Sequence, residues 1–467
     1  MGSLTNTAMS FIDTAARHPL WHDSKIPPWE MEVAPASHDV DVAIVGGGFS
    51  GLWTAYYMSQ LRPDARIAIV EARRIGFGAS GRNGGWCSGF FPLLPSELAH
   101  LFGRDKAHAS YQESFRTVLE VERVLAKENL RCDWHRGGTL QSASTSLQAE
   151  RLQEMLLVQH ALGIRGSDME WLPPQLVGEH LQLAETHGAV YSPHCATMNP
   201  YSLVMGLARV VRSRGVHIWE NSAVKGIDNG VVTHEHGHVR ATLVVQATEG
   251  YSNTIRRTRR RLVPLYSLMV ATEPLDDHVL TQLGWRHHAT FNDGGNMVIY
   301  AQLTADNRIA FGGRGAPYHF ASRVHNRFDL DDDTHRKIAA SIARHFPAAA
   351  GARITHRWGG PLGLPRDWSP NVTIDRTSGY ARLGGYAGDG VAASNLLART
   401  LVDEWHEAQS PLRELPFINH HSPKWEPEPL RFLGINTLIR LSESIDAYEM
   451  RHGKSPRIRK RIFESLL

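Results

Sequence analysis

The chain has 467 residues, with 50 lysines and arginines against 47 aspartates and glutamates, which gives a formal net charge of +3. This length predicts two or three domains with an ample core, and the near balance of charge argues against a nucleic-acid partner. No run of about 18 apolar residues is present, so no membrane-spanning helix is expected. The three cysteines lack metal or redox spacing, which predicts a reduced, cytoplasmic protein.

Residues 1–37 are predicted to form an extended arm before the first strand. Proline recurs in this stretch, at Pro27, Pro28 and Pro35. The first residues have neither the basic region nor the apolar region of a secretory signal peptide, so none is expected.

The first strand is predicted over residues 40–45, which are mostly apolar and lead directly into Gly46-x-Gly48-x-x-Gly51. A helical pattern follows, and a second apolar run, Ile67–Val70, ends at Glu71. In this arrangement the glycines permit a tight turn and close approach of a pyrophosphate, and the acid accepts a hydrogen bond from a ribose hydroxyl. The sequence therefore predicts a dinucleotide site. Its predicted contacts here are Gly46, Gly48, Phe49, Ser50, Gly51, Glu71, Ala72 and Arg73.

A second glycine-rich segment, residues 76–85, reads Gly-Phe-Gly-Ala-Ser-Gly-Arg-Asn-Gly-Gly. Glycine loses much backbone entropy in a regular element, so this segment is predicted to be a loop whose N–H groups approach a ligand. A nicotinamide dehydrogenase normally continues from its second strand into a crossover instead. The predicted contacts are Gly78, Ala79, Ser80, Gly81, Arg82, Asn83, Gly84 and Gly85.

The remaining pattern predicts mixed helices and strands. Helices are expected over residues 105–128, 147–162, 200–214, 332–345 and 390–407, and strands over 216–219, 231–233, 239–247, 263–272, 297–303 and 308–312. A helical extension is expected from residue 430 to the end, packed on the body or on a second subunit, with a membrane-surface helix as the alternative.

Several ordered motifs resemble a known family. They are residues 79–85, Arg131-Cys-Asp-Trp-His-Arg-Gly-Gly-Thr-Leu140, Asn199-Pro200, Leu303-Thr-Ala-Asp-Asn-Arg308 with Gly312-Gly313, Arg357-Trp-Gly-Gly360 and Gly385-Tyr-Ala-Gly-Asp-Gly-Val-Ala392. Together, over residues 38–402, they resemble the D-amino-acid-oxidase-like superfamily of flavoenzymes, which includes glycine and sarcosine oxidases. The run 79–85 most resembles the gamma-glutamylputrescine oxidase branch.

The resemblance implies an α/β fold class, α+β overall, of the glutathione-reductase type. A Rossmann-like FAD-binding domain would carry an inserted antiparallel-sheet substrate domain. The predicted divisions are an arm at 1–37, an FAD-binding domain at 38–104, 196–264 and 356–420, a substrate domain at 105–195 and 265–355, and a helical extension at 421–467.

The resemblance also implies the chemistry: bound FAD oxidises the carbon next to an amine, the imine hydrolyses to a carbonyl and an amine or ammonia, and O2 leaves as H2O2. Negative charge on the reduced ring would meet N–H groups at the start of the helix after Gly388. No cysteine follows Cys195, so FAD is predicted to be non-covalent. Further predicted contacts are Val224, Ala247, Gly250, Gly359, Gly388, Asp389, Gly390, Val391 and Ala392.

Four candidate catalytic-pocket residues remain. Trp86 stands where related sequences usually carry Gln, and it either lines the pocket or belongs to the core. Tyr300 is kept from the branch pattern, although the charges beside it are lost. Arg314 would either clamp an anionic group bidentately or be an ordinary surface arginine, and Asp389 would bind an ammonium or cap the following helix. The last two together would suit a zwitterion, either an amino acid or an aminophosphonate.

Alternatives stay open at this point. The same fold would serve a dehydrogenase that passes electrons to a quinone or carrier, an NAD(P)H-dependent flavin monooxygenase, or a non-catalytic flavin sensor. His234, His236 and His238 have no partner elsewhere in the pattern, so no metal is predicted. The expected partner is a small amine or amino-acid-like substrate, without nucleic acid or membrane contact; a homo-oligomer is left open.

Overall fold

The computed structural model describes residues 12, 14–27, 29–313 and 315–466, and its strands form two large sheets and a two-stranded ribbon. The strands are β1 (Ser37–Val45), β2 (Ile67–Val70), β3 (Trp86–Ser88), β4 (Thr139–Ser142), β5 (Glu170–Leu172), β6 (Ala189–Ser192), β7 (Cys195–Thr197), β8 (His217–Trp219), β9 (Val224–Asp228), β10 (Val231–His234), β11 (Gly237–Gln246), β12 (Val263–Thr272), β13 (Thr290–Asp293), β14 (Ile299–Leu303), β15 (Ile309–Gly313), β16 (Ile354–Leu364), β17 (Asn371–Asp375) and β18 (Tyr380–Gly384).

The α-helices are α1 (Phe49–Leu61), α2 (Pro95–Phe102), α3 (Arg104–Lys127), α4 (Ser146–Ala161), α5 (Pro174–His180), α6 (Pro200–Ser213), α7 (Asp277–Leu283), α8 (Asp332–His345), α9 (Gly390–Trp405), α10 (Leu430–His452) and α11 (Arg457–Leu466). The short helices α2, α5 and α7 were not predicted, whereas the others fall close to their predicted ranges. Side-chain caps start several of them: Thr145 accepts from Gln148 N at α4, Asn199 from Ser202 N at α6 and Asp331 from Thr334 N at α8.

The first sheet has the order β17-β18-β11-β1-β2-β8, with β10 and β9 extending from β11. β1 pairs in parallel with both β11 and β2, and β11 pairs in parallel with β18. Residues 42–45 of β1 are buried or nearly so, as expected of a strand covered on both faces. On one face of the sheet, α1 and α9 share a core with Ile44 and Ile69. This parallel arrangement confirms the predicted Rossmann-like α/β domain.

The second sheet has the order β16-β12-β15-β14-β13-β4-β6-β5. Its neighbouring strands are antiparallel, except that β13 runs parallel to β4. β16 pairs with β12 from Val263↔Leu364 to Thr272↔Ile354. Residues 354–364 therefore belong to this sheet, whereas the predicted domain boundary at 356 would assign most of them to the FAD-binding domain. Strand pairing across about 90 residues is a long-range property, and the pattern within β16 does not specify it.

Helix α3 was predicted to belong to the substrate domain, but it packs against helices of the FAD-binding domain. Its buried side chains Tyr111, Phe115 and Val121 belong to the same core as Leu52 of α1 and Leu396 of α9. The amphipathic pattern predicted the helix correctly, but it does not indicate which sheet the apolar face covers.

The C-terminal extension is two helices separated at Gly453, which has a φ of +63°. Asp446 of α10 accepts hydrogen bonds from the backbone N–H of Asn296 (2.9 Å) and of Met297 (2.7 Å). Asn436 of the same helix accepts from the N–H of Tyr318 at 3.0 Å. The extension thus packs on the body of the chain. Within the described ranges, no helix combines the length and apolarity needed to cross a bilayer.

Candidate active site

The larger of two adjoining cavities, about 670 Å³, lies where β1, β2 and β11 end. Val45, Val70 and Ala247 mark those strand ends on its surface. This is the place where parallel α/β sheets bind ligands. The predicted cofactor contacts that line it are Gly46, Gly48, Phe49, Ser50, Glu71, Ala72, Arg73, Gly78, Ala79, Ser80, Asn83, Val224, Ala247, Gly250, Gly388, Gly390 and Val391.

The turn between β1 and α1 has no room for side chains at two of its glycines. A Cβ atom on Gly46 would lie 2.4 Å from the carbonyl oxygen of Ala247, and the φ of Gly46 is +112°. A Cβ atom on Gly51 would lie 2.0 Å from the carbonyl oxygen of Gly46. Glycine at both positions allows α1 to start directly against the sheet.

The first turn of α1 presents main-chain donors. The N–H of Phe49 donates to Ser80 Oγ at 2.8 Å. The N–H groups of Ser50 and Gly51 make no hydrogen bond to the described part of the chain. This turn holds no acidic residue. Unpaired N–H groups at the positive end of a helix, beside a large cavity, fit the pyrophosphate of a dinucleotide.

Glu71 lies at the end of β2 and lines the same cavity. Its Oε2 accepts from the N–H of Gly47 at 2.7 Å, and its Oε1 accepts from the N–H of Arg73 at 2.9 Å. Burial raises the pKa of this carboxyl, and these two backbone donors oppose the shift. Each carboxylate oxygen keeps a second lone pair for a ribose hydroxyl. The donors at α1 and the acceptor at Glu71 therefore fit FAD.

The second glycine loop is fixed by its own side chains. Asn83 Nδ2 donates to the carbonyl of Ala79 at 3.0 Å, and Asn83 Oδ1 accepts from the N–H of Gly85 at 2.8 Å. Arg82 is buried, with Nη1 2.8 Å from Asp329 Oδ2 and 3.0 Å from the carbonyl of Gly359. These contacts attach the loop to β16 of the second sheet.

The smaller cavity, about 350 Å³, adjoins the larger one, and Ala79, Asn83, Leu362, Gly388 and Val391 line both. Three of the four candidate catalytic residues, Trp86, Tyr300 and Asp389, line it, as do the predicted cofactor contacts Arg82 and Gly84.

Trp86 lies on the surface of the smaller cavity rather than inside the core. Its ring meets that of Tyr300 edge to face, with centroids 5.9 Å apart. The hydroxyl of Tyr300 is 2.8 Å from Ser267 Oγ. The fourth candidate, Arg314, lies outside the described residues.

Five predicted cofactor contacts line neither cavity. Gly51 serves the packing of α1, as described above. A Cβ on Gly81 would lie 2.2 Å from the carbonyl oxygen of Gly76, one on Gly85 would lie 1.9 Å from Gln302 Nε2, and one on Gly359 would lie 2.2 Å from a methyl of Leu268. Ala392 is fully buried in the core. At these positions a small residue allows neighbouring segments of the chain to pack closely together. The positions therefore support the walls of the cavities without lining them.

Several residues of the larger cavity were not predicted, among them Glu249 and Tyr386. The carboxylate of Glu249 accepts from the N–H of Gly385 at 2.9 Å and of Tyr386 at 3.2 Å. Burial raises the pKa of Glu249 to about 7. The hydroxyl of Tyr386 is 2.8 Å from Ser50 Oγ. Glu249 precedes Gly250 and Tyr386 follows Gly385, and both glycines belong to motifs that the sequence analysis identified. Proximity to these glycines was the signal from which the two residues could have been predicted.

The histidines 234, 236 and 238 lie around the β10–β11 turn and have separate partners. His236 Nε2 is 2.8 Å from the carbonyl of Asn221, and His238 Nε2 is 3.3 Å from Ser37 Oγ. Within the described ranges, the three side chains that lie close enough together to hold a metal ion are His18, Asp23 and His356. His356 Nε2 is 2.9 Å from Asp23 Oδ2.

Comparison with known proteins gives a consistent result. A family model described as FAD dependent oxidoreductase matches residues 41–404. The gamma-glutamylputrescine oxidoreductase of Escherichia coli (strain K12) is 27% identical over 369 residues, which cover 78% of this chain and 83% of that protein.

Solved structures show the same fold at lower sequence identity. Glycine oxidase from Geobacillus kaustophilus superposes with a TM-score of 0.67 at 20% identity, covering 82% of this chain and 99% of that one. L-proline dehydrogenase from P. horikoshii gives a TM-score of 0.65 at 18% identity, covering 82% and 97%. The range matched by the family model, residues 41–404, includes the glycine loops that line the larger cavity.

Proposed function

We propose that this chain, which belongs to the FAD dependent oxidoreductase family, is an oxidase that takes two electrons from the carbon–nitrogen bond of an amine and delivers them to O2. It is an FAD-dependent oxidoreductase acting on amine or amino-acid substrates, as its relatives' activities support. The observation that supports amine oxidation is the adjoining pair of cavities, one fitting FAD and one lined by aromatic and apolar side chains. O2 is proposed as the acceptor because the structurally similar glycine oxidase is named as an oxidase.

The proposed reaction balances as follows. A neutral amine loses the C–H hydrogen of the carbon next to nitrogen together with its electron pair, and it loses one N–H proton to water. The C–H and N–H bonds break and a C=N bond forms, so that two electrons and two protons leave in total. Bound FAD supplies the two-electron acceptor that amino-acid side chains lack. Water then adds to the imine, the C–N bond breaks, and a carbonyl compound and an amine or ammonia leave. O2 takes up two electrons and two protons and leaves as H2O2.

The smaller cavity favours the neutral form of the substrate amine. Trp86, Tyr300, Phe91 and Met269 line it with apolar surface. Desolvation beside such groups lowers the pKa of an ammonium, so that its nitrogen gains the lone pair that the oxidation requires. A dedicated base is not needed for this step, and Asp389 would orient the amine from the loop that precedes α9.

The protein would hold FAD by contacts at the two ends of the larger cavity. The first turn of α1 and Glu71 would hold the pyrophosphate and ribose, and the N terminus of α9 would face the ring. We expect the flavin to be non-covalent. Cys87, Cys132 and Cys195 are all buried, and burial raises the pKa of each thiol, which keeps them unreactive. Acid precipitation should release all of the flavin into the supernatant.

A dehydrogenase that passes electrons to a quinone or carrier is the second candidate. L-proline dehydrogenase shares this fold over 82% of the chain, so the fold occurs in a protein named as a dehydrogenase as well as in one named as an oxidase. The two functions differ only in how the reduced protein is reoxidised.

The test is anaerobic mixing of the purified holoprotein with a panel of amines, amino acids and aminophosphonates, recording the flavin absorbance. We expect amines to bleach it, and alcohols of the same carbon skeleton to leave it unchanged. Admitting O2 should then restore the colour and yield one H2O2 per turnover. Restoration by a quinone but not by O2 would favour the dehydrogenase. Bleaching by NADPH and by no amine would refute both.

A further inference from the structure

We propose that two side-chain amides on the second sheet, Gln141 and Asn292, select a substrate whose amine carries an uncharged hydrogen-bonding group, such as a carboxamide, on an apolar arm. This inference rests on the proposed amine oxidation at the same site and specifies its substrate class.

The strand register places the two amides in one row. Tyr300 of β14 is opposite Asn292 of β13, Asn292 is opposite Gln141 of β4, and Gln141 is opposite Val190 of β6. All four residues line the smaller cavity. Neighbouring strands are about 4.8 Å apart, so the two amides stand roughly 5 and roughly 10 Å along the row from Tyr300. A substrate arm that extends from the Trp86–Tyr300 end would pass both.

Neither amide has a partner within the described chain. The side chains of Gln141 and Asn292 make no hydrogen bond, ion pair or ring contact with the described residues. Gln302 differs, since its Nε2 donates to the carbonyl of Gly84 at 2.7 Å.

Two other polar atoms of lining residues, Thr139 Oγ1 and Trp86 Nε1, are buried without a partner among the described residues. Buried polar groups are normally hydrogen-bonded. Gln141 and Asn292 are only half-buried, so they are the uncharged donors and acceptors that a ligand in the cavity can reach.

Charge lies elsewhere on the lining. Its described charged residues, Arg82 and Asp389, belong to the two glycine loops, and Arg82 is held by Asp329 at 2.8 Å. Around the amide row the lining residues include Val190, Met155 and Met169. A carboxylate or ammonium placed there would lose its hydration without a counter-ion. A carboxamide supplies both the donors and the acceptor that Gln141 and Asn292 can match.

The cavity has room for such an arm. Its volume of about 350 Å³ falls within the roughly 300–1,000 Å³ of typical small-molecule sites. An amine with a short substituent would leave the amide row uncontacted.

The test uses the holoprotein and three amines of similar length: 6-aminohexanamide, 6-aminohexanoate and heptylamine. Anaerobic flavin bleaching gives the apparent Kd and the limiting rate for each. We expect the carboxamide to bind most tightly, by about tenfold over heptylamine, since one or two buried hydrogen bonds are gained. Gln141→Leu and Asn292→Leu should each remove most of that advantage, by weakening the binding of the carboxamide without weakening the binding of heptylamine.

Gln153→Leu, a substitution on the exposed side of α4, is the control and should retain the preference. Calorimetric titration of hexanamide, which has no amine, gives a readout independent of turnover: binding should be detectable in the wild type and weakened by Gln141→Leu. If a leucine variant does not fold, Gln141→Glu should serve, because it replaces the amide with a charge and should disfavour the carboxamide.

The outcomes separate the two proposals. Bleaching by all three amines with equal affinity, or a preference for 6-aminohexanoate, would overturn the amide-row inference and leave amine oxidation standing. Absence of bleaching by the entire amine panel would instead refute the proposed function.

Discussion

At the β1–α1 turn the larger cavity is lined by main-chain groups of one short segment, whereas the smaller cavity is lined by side chains from distant strands and helices. Gly46, Gly48 and Ser50 of the larger cavity come from one turn, and Glu71 ends the next strand. The smaller cavity collects Trp86, Gln141, Asn292 and Tyr300 from β3, β4, β13 and β14. The first therefore depends on short-range geometry that a few glycines set, and the second depends on how two sheets are assembled.

This difference has a functional meaning. A cofactor shared by a whole family is held by main-chain groups, which a change of side chain does not remove. A substrate that differs between relatives is recognised by side chains on a sheet face, where one substitution changes one contact. The two cavities should consequently respond to mutation in separable ways.

The largest effect is expected at the β1–α1 turn. Gly51→Ala would put a methyl group 2.0 Å from the carbonyl oxygen of Gly46, so α1 must move away from the phosphate position. We expect FAD affinity to fall by at least about 100-fold, equivalent to about 2.7 kcal/mol. Titration of the apoprotein with FAD, followed by absorbance, measures this. Gly226→Ala is the control, since no atom lies within 4 Å of its Cβ position. Equal affinities in the two variants would remove the main-chain account of the larger cavity.

The second effect should be confined to the smaller cavity. Trp86→Phe keeps an aromatic ring next to Tyr300 but deletes the buried indole N–H. We expect kcat/KM for the best amine to fall by about tenfold, because the smaller ring leaves space in the cavity wall and the substrate is positioned less well, with FAD affinity unchanged. Trp405→Phe, on α9 away from both cavities, should leave both quantities as they are. Loss of FAD from the Trp86 variant would show that the two cavities are not independent.

The same contrast explains what the sequence could predict. The β1 strand, the three glycines and Glu71 were identified because apolar runs and glycine spacing are local signals. β12 (Val263–Thr272) and α8 (Asp332–His345) agree with their predicted ranges, because a nearly continuous apolar run in the first and helical periodicity in the second are local signals. The roles of several glycines were harder to predict. Gly81 and Gly85 match the motif, but glycine is required at these positions because a side chain would collide with residues packed against the loop.

Gln141 and Asn292 could not have been found in the same way. Each lies in a four-residue strand whose polar side chain resembles any exposed position. They become neighbours only through the parallel pairing of β4 with β13, about 150 residues apart. For the same reason, the sequence did not indicate that β16 pairs with β12 in the second sheet, since strand register is a property of the assembled fold.

Glu249 gives a pH-dependent test of the larger cavity. Burial raises its pKa to about 7, above the value near 4.5 of an unfolded glutamate. The protonated form is therefore favoured by folding, so its stabilisation is complete below about pH 4.5 and is lost as the pH rises through 7. We expect the Tm of the wild type to decrease from pH 5 to pH 8 relative to that of Glu249→Gln, as measured by thermal unfolding of the holoprotein.

Tyr386→Phe is the matched control for this pH effect. Tyr386 packs beside Glu249, and burial raises its pKa further above its ordinary value near 10. The substitution should therefore shift Tm equally at every pH between 5 and 8. A Tm difference between wild type and Glu249→Gln that does not vary with pH would contradict the proposed linkage.

The smallest effect is expected outside the matched family region, at α10. Asp446 accepts from the N–H groups of Asn296 and Met297 and from Asn296 Nδ2, at 2.6–2.9 Å. The next residue, Val298, lines the smaller cavity. Asp446→Ala should lower the Tm by about 2–6 °C, because three hydrogen bonds to one carboxylate are lost, and should raise KM without changing FAD affinity. Glu443→Ala, on the same helix as Asp446, removes an exposed ion pair with Lys337 of α8 and should change the Tm by no more than about 1 °C. Equal Tm shifts in the two variants would mean that α10 contributes only general packing. A KM change confined to Asp446→Ala would show that this C-terminal helix supports the substrate cavity.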